Sequence, residues 1–246
     1  MMLRKWENLP DELRIDAVRP YYDILSKRQG SLFLKRVFDV VVSVVLLFLL
    51  LPVFLILAIA IKLDSPGPVF YRQVRVTQYG KRFRIYKFRS MVQNADKGSL
   101  VTVDGDSRIT RVGKVIRKCR LDELCQLIDV LRGTMTFVGT RPEVPQYVEA
   151  YTPEMMATLL LPAGVTSLAS IFYKDEALLL ENAVDVDDVY IKQVLPGKMR
   201  YNLRAIDCFH FWTDIKLMFM TVLAVLGKEF KEENLNSGSC KEEAKL

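Results

Sequence analysis

Two adjacent acids embedded in a run of cations are the residues of this chain best suited to chemistry. In RKCRLDELCQL, Asp122 and Glu123 follow Arg117, Lys118 and Arg120. Neighbouring cations favour an ionised carboxylate, and they offset the phosphate charge that would otherwise repel an attacking acid. An acid so placed is a candidate nucleophile toward phosphorus. Two adjacent acids would also attract a divalent cation, with magnesium the usual partner where oxygen ligands meet phosphates. The same acids open the helix expected for Leu121 to Leu131, where carboxylates commonly do no more than cap, and spacing alone leaves both readings open. Arg141, held between Gly139 and Pro142, suits bidentate phosphate binding or is a plain surface arginine. In PAGVTS, Gly164, Thr166 and Ser167 could offer backbone N–H groups to a phosphate. His210 is the single histidine and lies among Phe209, Phe211 and Trp212, where packing is the commoner role.

Such residues need a scaffold, and 246 residues are enough for one domain with appendages. The net charge of +6 favours anionic partners: nucleic acid, anionic lipid or phosphorylated small molecules. The four cysteines, Cys119, Cys125, Cys208 and Cys240, form no CxxC pair and have one histidine to help them, which argues against structural zinc. They are expected to be reduced thiols facing a cytosol, with Cys119 and Cys125 packing as small hydrophobes.

Apolar residues are concentrated from Val40 to Ile61, where no charge occurs and only Ser43 and Pro52 interrupt. That length meets a bilayer core. Pro52 near its middle predicts a kink, and the flanks are both basic, with Lys27, Arg28, Lys35 and Arg36 before it and Lys62, Arg72 and Arg75 after. By the positive-inside preference both ends stay on the cytoplasmic side, which a re-entrant hairpin satisfies. A tilted spanning helix with a tolerated proline is the alternative. The first 34 residues read as a surface lead-in. Beyond Asp64-Ser65-Pro66-Gly67-Pro68, a helix stop, two stretches around Gly80 alternate apolar and basic residues and predict a short β-hairpin whose basic face carries Arg72, Arg75, Arg84, Lys87 and Arg89. Residues 93–107 read as a loop. From Ile109 a helical pair is expected, with Leu121, Leu124, Ile128 and Leu131 on one face. Gly139 and two prolines then break the helices, and a helical stretch around Pro153 to Leu160 precedes the turn-like LPAGVTS. The apolar stretch Phe209 to Leu226, interrupted by Asp214 and Lys216, predicts a helix on a membrane face or against the core. Residues 228–246 read as a charged tail.

KRVFDVVVSVV, the proline-broken apolar segment, DSPGPVFYRQVRV, KFRSM, RITRVGKVIRKCRLDELCQLIDVLRG and FVGTRPEVP, in that order, resemble the bacterial sugar transferases known as monotopic polyprenyl-phosphate phosphoglycosyl transferases. The resemblance runs from residue 35 to about 225. It implies an α+β, mainly helical fold: a re-entrant helix-break-helix at residues 35–62, a cytosolic catalytic domain at 63–227, and appendages at 1–34 and 228–246. It also implies that Asp122 attacks the sugar-bearing phosphate of a UDP-sugar, releasing UMP, and that polyprenyl (undecaprenyl) phosphate then displaces the aspartate. Glu123 would assist, Mg2+ would sit on Asp122 and Glu123, and Arg117 and Arg141 would hold phosphate; Lys87 and Arg89 of KFRSM are added here as further phosphate-binding candidates. The implied setting is the cytoplasmic face of a bacterial inner membrane, with membrane lipids, a possible homo-oligomer and no nucleic acid as partners. The sequence departs from the family pattern at Leu51, Cys125, Thr134, Thr140, Ala163, Ser167 and Ser170, so a weakened member acting as a membrane scaffold is the alternative function. The sugar is not named by the sequence.

Overall fold

A computed structural model of the chain describes residues 3–93, 108–173, 180, 185–228 and 230. The loop expected at 93–107 and the tail expected at 228–246 lie almost wholly outside the described residues. Helices dominate, with one two-stranded antiparallel and one two-stranded parallel sheet among the described residues.

Helix α1 (Arg19–Ser26) leads into α2 (Gln29–Leu49) and α3 (Leu51–Asp64). The axes of α2 and α3 are bent by 61°. The break falls at Leu50, whose ψ near 0 leaves the helical basin, and Pro52 follows in the first turn of α3, where its missing N–H costs nothing. No single described helix is long and apolar enough to cross a membrane. The burial pattern of α2 is inverted relative to a soluble helix. Leu32, Lys35, Asp39 and Ser43 are buried at three- and four-residue spacing, while Val41, Val44, Val45, Phe48 and Leu49 are exposed. On α3, Leu51, Leu55, Ile56, Ile59 and Leu63 are exposed too.

The inward polar stripe fastens α2 to the body. Lys35 Nζ donates to Val138 O at 2.7 Å and pairs with Asp214. Arg36 donates to the carbonyls of Val130 and Leu131 at 2.6 and 2.8 Å, closing the end of α5 (Gln126–Arg132). Asp39 accepts from Thr136 Oγ1 at 2.7 Å and Phe137 N at 3.3 Å. Lys35, Arg36 and Asp39 thus have the partners that burial of charge requires, whereas the buried Ser43 Oγ has none among the described residues.

The expected hairpin forms from β1 (Phe70–Val76) and β2 (Arg82–Phe88), in register Tyr71 with Lys87 and Arg75 with Phe83. Its turn uses left-handed backbone at Tyr79 and Gly80. The single basic face expected from the sequence is split by the two-residue period of a strand. Arg75 and Lys87 share one face, while Arg72 and Arg84 lie on the other, where the Arg72 guanidinium sits 3.5 Å from the Tyr86 ring centroid.

The helical pair from Ile109 becomes α4 (Arg111–Lys118), capped by Thr110 Oγ1 accepting from Gly113 N at 2.9 Å, a 3-10 turn (Leu121–Glu123), and α5. Leu121, Leu124 and Ile128 pack with Phe88, Ile116 and Cys125 as one apolar group. Two stretches read from the sequence as breaks are strands: β3 (Met135–Val138) pairs in parallel with β4 (Ala163–Thr166). At four residues each they are too short to display alternation, and all of β3 is buried.

The chain continues through α6 (Pro145–Val148), a 3-10 segment (Met155–Leu160) where a helical stretch was expected, and α7 (Leu168–Phe172). Helix α8 (Val186–Val189), a π-turn, α9 (Leu195–Asp207) and α10 (Phe211–Val225) complete it. His210 is neither packed nor central: it is exposed and caps α10 by accepting from Trp212 N. Cys119 and Cys125 are free thiols, but Cys208 is disulfide-bonded, against the expectation of four reduced thiols. Cys208 ends α9 half-exposed; Cys240 lies outside the described residues.

The segment before α2 is no surface lead-in. Leu13, Val18 and Leu25 are 1 % exposed or less and join Tyr79, Leu160, Ile206 and Phe209 in a core. Two 3-10 turns and a short helix space these side chains irregularly, so no helix or strand period marks them.

Candidate active site

The acids sit one turn before α5, not at its first residue. Arg120 has φ +52°, a left-handed backbone uncommon outside glycine, and this reverses the chain between α4 and the 3-10 turn. Asp122 and Glu123 project from that turn. Cys125 anchors it from beneath: fully buried, its thiol lies 3.5 Å from Asp122 O, and burial pushes the thiol's pKa up, so it stays protonated.

The two carboxylates have different surroundings. Glu123 is gripped by Arg141, whose guanidinium donates to both of its oxygens, and Lys87 Nζ lies 3.5 Å from Oε1. Burial alone would raise Glu123, but Arg141 and Lys87 outweigh it and bring its pKa down to about 2. Asp122 forms no salt bridge among the described residues. Burial, and then the Glu123 charge, raise its pKa, while Lys87 and Arg117 act in the opposite direction. The expectation that flanking cations hold both acids low is therefore met only by Glu123. Asp122 is the less stabilised, more basic anion.

Of the expected phosphate ligands, the fold brings Lys87 and Arg141 to the acids, and Arg117, in the last turn of α4, within electrostatic reach of Asp122. Arg89 is turned away: it is buried and donates to the carbonyls of Ser65 and Pro66 at 2.7 Å, bracing the end of α3. Sequence reasoning treated Arg75 as one cation among five. The β1–β2 register places it on the same face as Lys87, four positions along the hairpin, and pairing parity was the signal that could have singled it out.

Glu123, Arg120 and Arg141 line one end of a cavity of about 580 Å³. The remainder is largely apolar, with Leu46 and Leu50 from the bend, Phe137 from β3 and Val225 from α10. Thr166 and Ser170 line the same cavity from β4 and α7, but Ser167 Oγ is committed to capping α7 through Ser170 N. No group of three metal-ligating side chains converges among the described residues. The carboxylates on offer to a cation are Asp122 and the part of Glu123 that Arg141 and Lys87 leave unshielded.

The family model described as bacterial sugar transferase matches residues 30–228. The chain belongs to the bacterial sugar transferase family. Within that family it is 38 % identical over 198 residues to a UDP-N-acetylgalactosamine-undecaprenyl-phosphate N-acetylgalactosaminephosphotransferase of Aeromonas hydrophila, covering 79 % of this chain and 44 % of the relative. It is 35 % identical over 217 residues to a UDP-glucose:undecaprenyl-phosphate glucose-1-phosphate transferase of Escherichia coli (strain K12), covering 86 % and 44 %. A putative undecaprenyl-phosphate N-acetylgalactosaminyl 1-phosphate transferase of Bacillus subtilis (strain 168) is 37 % identical over 156 residues, 63 % of this chain and 87 % of the relative. The chain thus spans a little under half the length of the first two relatives.

Proposed function

We propose that the chain transfers a sugar 1-phosphate from a UDP-sugar to undecaprenyl phosphate and releases UMP, with Asp122 as the nucleophile. The observation that carries this reading is Asp122, which forms no salt bridge among the described residues, beside the clamped Glu123, which lines a largely apolar cavity.

In the first step an Asp122 carboxylate oxygen forms a bond to the sugar-bearing phosphorus. The bond from that phosphorus to the bridging oxygen breaks, and the electron pair leaves with UMP. Arg141 and Lys87, positioned by Glu123, offset the charge on the transferring phosphoryl group. In the second step an oxygen of the acceptor phosphate attacks the same phosphorus, and the Asp122–phosphorus bond breaks to regenerate the carboxylate. The lipid then carries the sugar through a diphosphate. Magnesium fits this donor set if phosphate oxygens supply most of its ligands: Asp122, with an oxygen of Glu123, would hold it. When bound, it would neutralise phosphate charge and polarise the phosphoryl oxygens.

The acceptor's phosphate must meet Asp122 while its chain stays in lipid. Leu46, Leu50 and Val225 provide an apolar path from the cavity toward the exposed apolar faces of α2, α3 and α10. The 61° bend, with basic residues on both flanks, fits a re-entrant anchor on the cytoplasmic side of the bacterial inner membrane, without crossing.

The test is UMP release by the full chain in detergent or lipid particles, with magnesium and undecaprenyl phosphate, across a panel of UDP-sugars. Release from one donor, abolished in Asp122→Asn, is the expected result. Without acceptor, the native chain should gain the mass of one sugar phosphate. An Asp122→Asn variant that turns over at the native rate would remove Asp122 from the mechanism.

A further inference from the structure

Four charged side chains line the large cavity: Arg120, Glu123, Arg141 and Lys228. Glu123 and Arg141 are committed to each other, and Lys228 Nζ rests over the Phe230 ring, 5.7 Å from its centroid. Arg120 forms no side-chain hydrogen bond, salt bridge or ring contact among the described residues, although its charge is felt at Glu123. An exposed arginine without a partner is ordinary by itself. Two observations set this one apart. Its backbone is fixed, with Arg120 N donating to Arg117 O at 3.0 Å and Arg120 O accepting from Glu123 N at 3.4 Å, so the side chain leaves a held turn two residues before Asp122. That turn also has φ +52°, where glycine or asparagine would cost less, so the backbone does not itself call for an arginine. Away from the charged end, Leu46, Leu50, Phe137 and Val225 wall the same cavity.

An uncommitted cation in a cavity with apolar walls is complementary to an amphiphile with an anionic head. A UDP-sugar is polar along its whole length and gains nothing from that wall, whereas a lipid phosphate uses both the wall and the cation. Accepting the substrates assigned under the proposed function, we infer that Arg120 binds the phosphate of the acceptor lipid and directs it to the sugar phosphate carried by Asp122. The second step brings two anions together. A guanidinium donating to the incoming phosphate offsets their repulsion while one acceptor oxygen bonds to phosphorus and the bond to Asp122 breaks. Arg120 gives up no proton and joins no covalent bond in this step. Its exposure keeps it accessible to a ligand that arrives after UMP has left.

In a two-step exchange, kcat/KM for the donor reports the first step and kcat/KM for the acceptor the second. Both are measured in lipid particles, with undecaprenyl phosphate and the UDP-sugar that the donor panel selects, for the full native chain, Arg120→Asn and Arg120→Lys. Asparagine tolerates left-handed backbone, so the turn is kept while the charge is lost. Arg120→Asn is expected to lower kcat/KM for the acceptor about tenfold, as loss of one charge-assisted phosphate contact does, with a much smaller change in the donor value. The donor value thus doubles as the control for folding. Arg120→Lys, which keeps the charge without the fork, should recover part of the loss. An unchanged acceptor value in Arg120→Asn overturns the inference. So does an equal fall in both values, which would put Arg120 with the donor or with Glu123. If the native chain releases no UMP from any donor and gains no sugar-phosphate mass, the two-step reading itself fails, and this inference with it.

Discussion

Asp122 and Glu123 are neighbours of the same chemical type, and their surroundings give them different work. The clamp on Glu123 keeps it ionised at every pH where the protein is handled: its pKa of about 2 lies below its ordinary value of 4.5. The pairing therefore stabilises the fold fully above the ordinary glutamate range, and that contribution is lost as pH falls toward 2. Asp122 is shifted the other way, by burial first and Glu123 second. The acid limb of kcat/KM, which reports the free enzyme, should lie above the ordinary aspartate range, with activity falling as pH drops through it. Removing the neighbouring charge in Glu123→Gln should move that limb to lower pH while reducing the maximum rate, because Arg141 and Lys87 lose their common anchor. A pH–rate profile of both proteins checks this, and a limb that stays in place would mean that Glu123 does not tune Asp122. The identity of the two acids was legible in the sequence because they stand amid cations in a family motif. Their division of labour was not, because it depends on Arg141 and Lys87 arriving from 18 and 36 residues away.

At the scale of elements, the site rests on contacts between short pieces. Arg141 follows β3 by three residues, and β3 is held against β4 by the close approach of Gly139 and Gly164. A Cβ on Gly164 would lie 2.3 Å from both N and O of Gly139, a clash with backbone that side-chain adjustment cannot relieve. Gly164→Ala should therefore lower the thermal midpoint and reduce UMP release together, by levering the strands apart and displacing Arg141. A variant with native stability and rate would show that the pairing is dispensable. The hairpin and the helical pair could be read from alternation and three-to-four spacing, since each repeats its pattern over seven or more residues. The parallel pair could not, because Met135–Val138 is buried throughout, Ala163–Thr166 is buried except at Val165, and their partnership crosses a long sequence gap. Arg89 misled for a similar reason: KFRSM marks two cations, but only the end of α3 determines that Arg89 turns back to Ser65 and Pro66.

Over the whole molecule, polar groups converge on the inside of α2 while apolar ones face outward on α2, α3 and α10, with Phe48 77 % and Phe219 68 % exposed. On the re-entrant anchor proposed above, that surface would lie against lipid. Replacing Phe48 and Leu55 by glutamate should shift the protein from the membrane pellet to the soluble fraction, whereas high salt alone should not, because apolar burial is not screened. Retention of the double variant on membranes would place the anchor elsewhere.

The fastening of α2 at one end has a mechanical consequence. Lys35, Arg36 and Asp39 lock the helix against β3, α5 and α10, while Leu46 and Leu50, two to three turns further on, form a wall of the cavity. The helix is a shaft keyed at its base, and every residue added along it rotates the far end by about 100°. One alanine inserted between Ser43 and Val44 would leave the key in place but swing Leu46, Leu50 and the whole of α3 out of alignment, and with α3 the packing of Leu57 and Ile61 on Ile116 and Cys125 beneath the acids. Such a chain should lose UMP release altogether while Lys35, Arg36 and Asp39 keep their partners, and release at the native rate would show that the register of α2 does not reach the site.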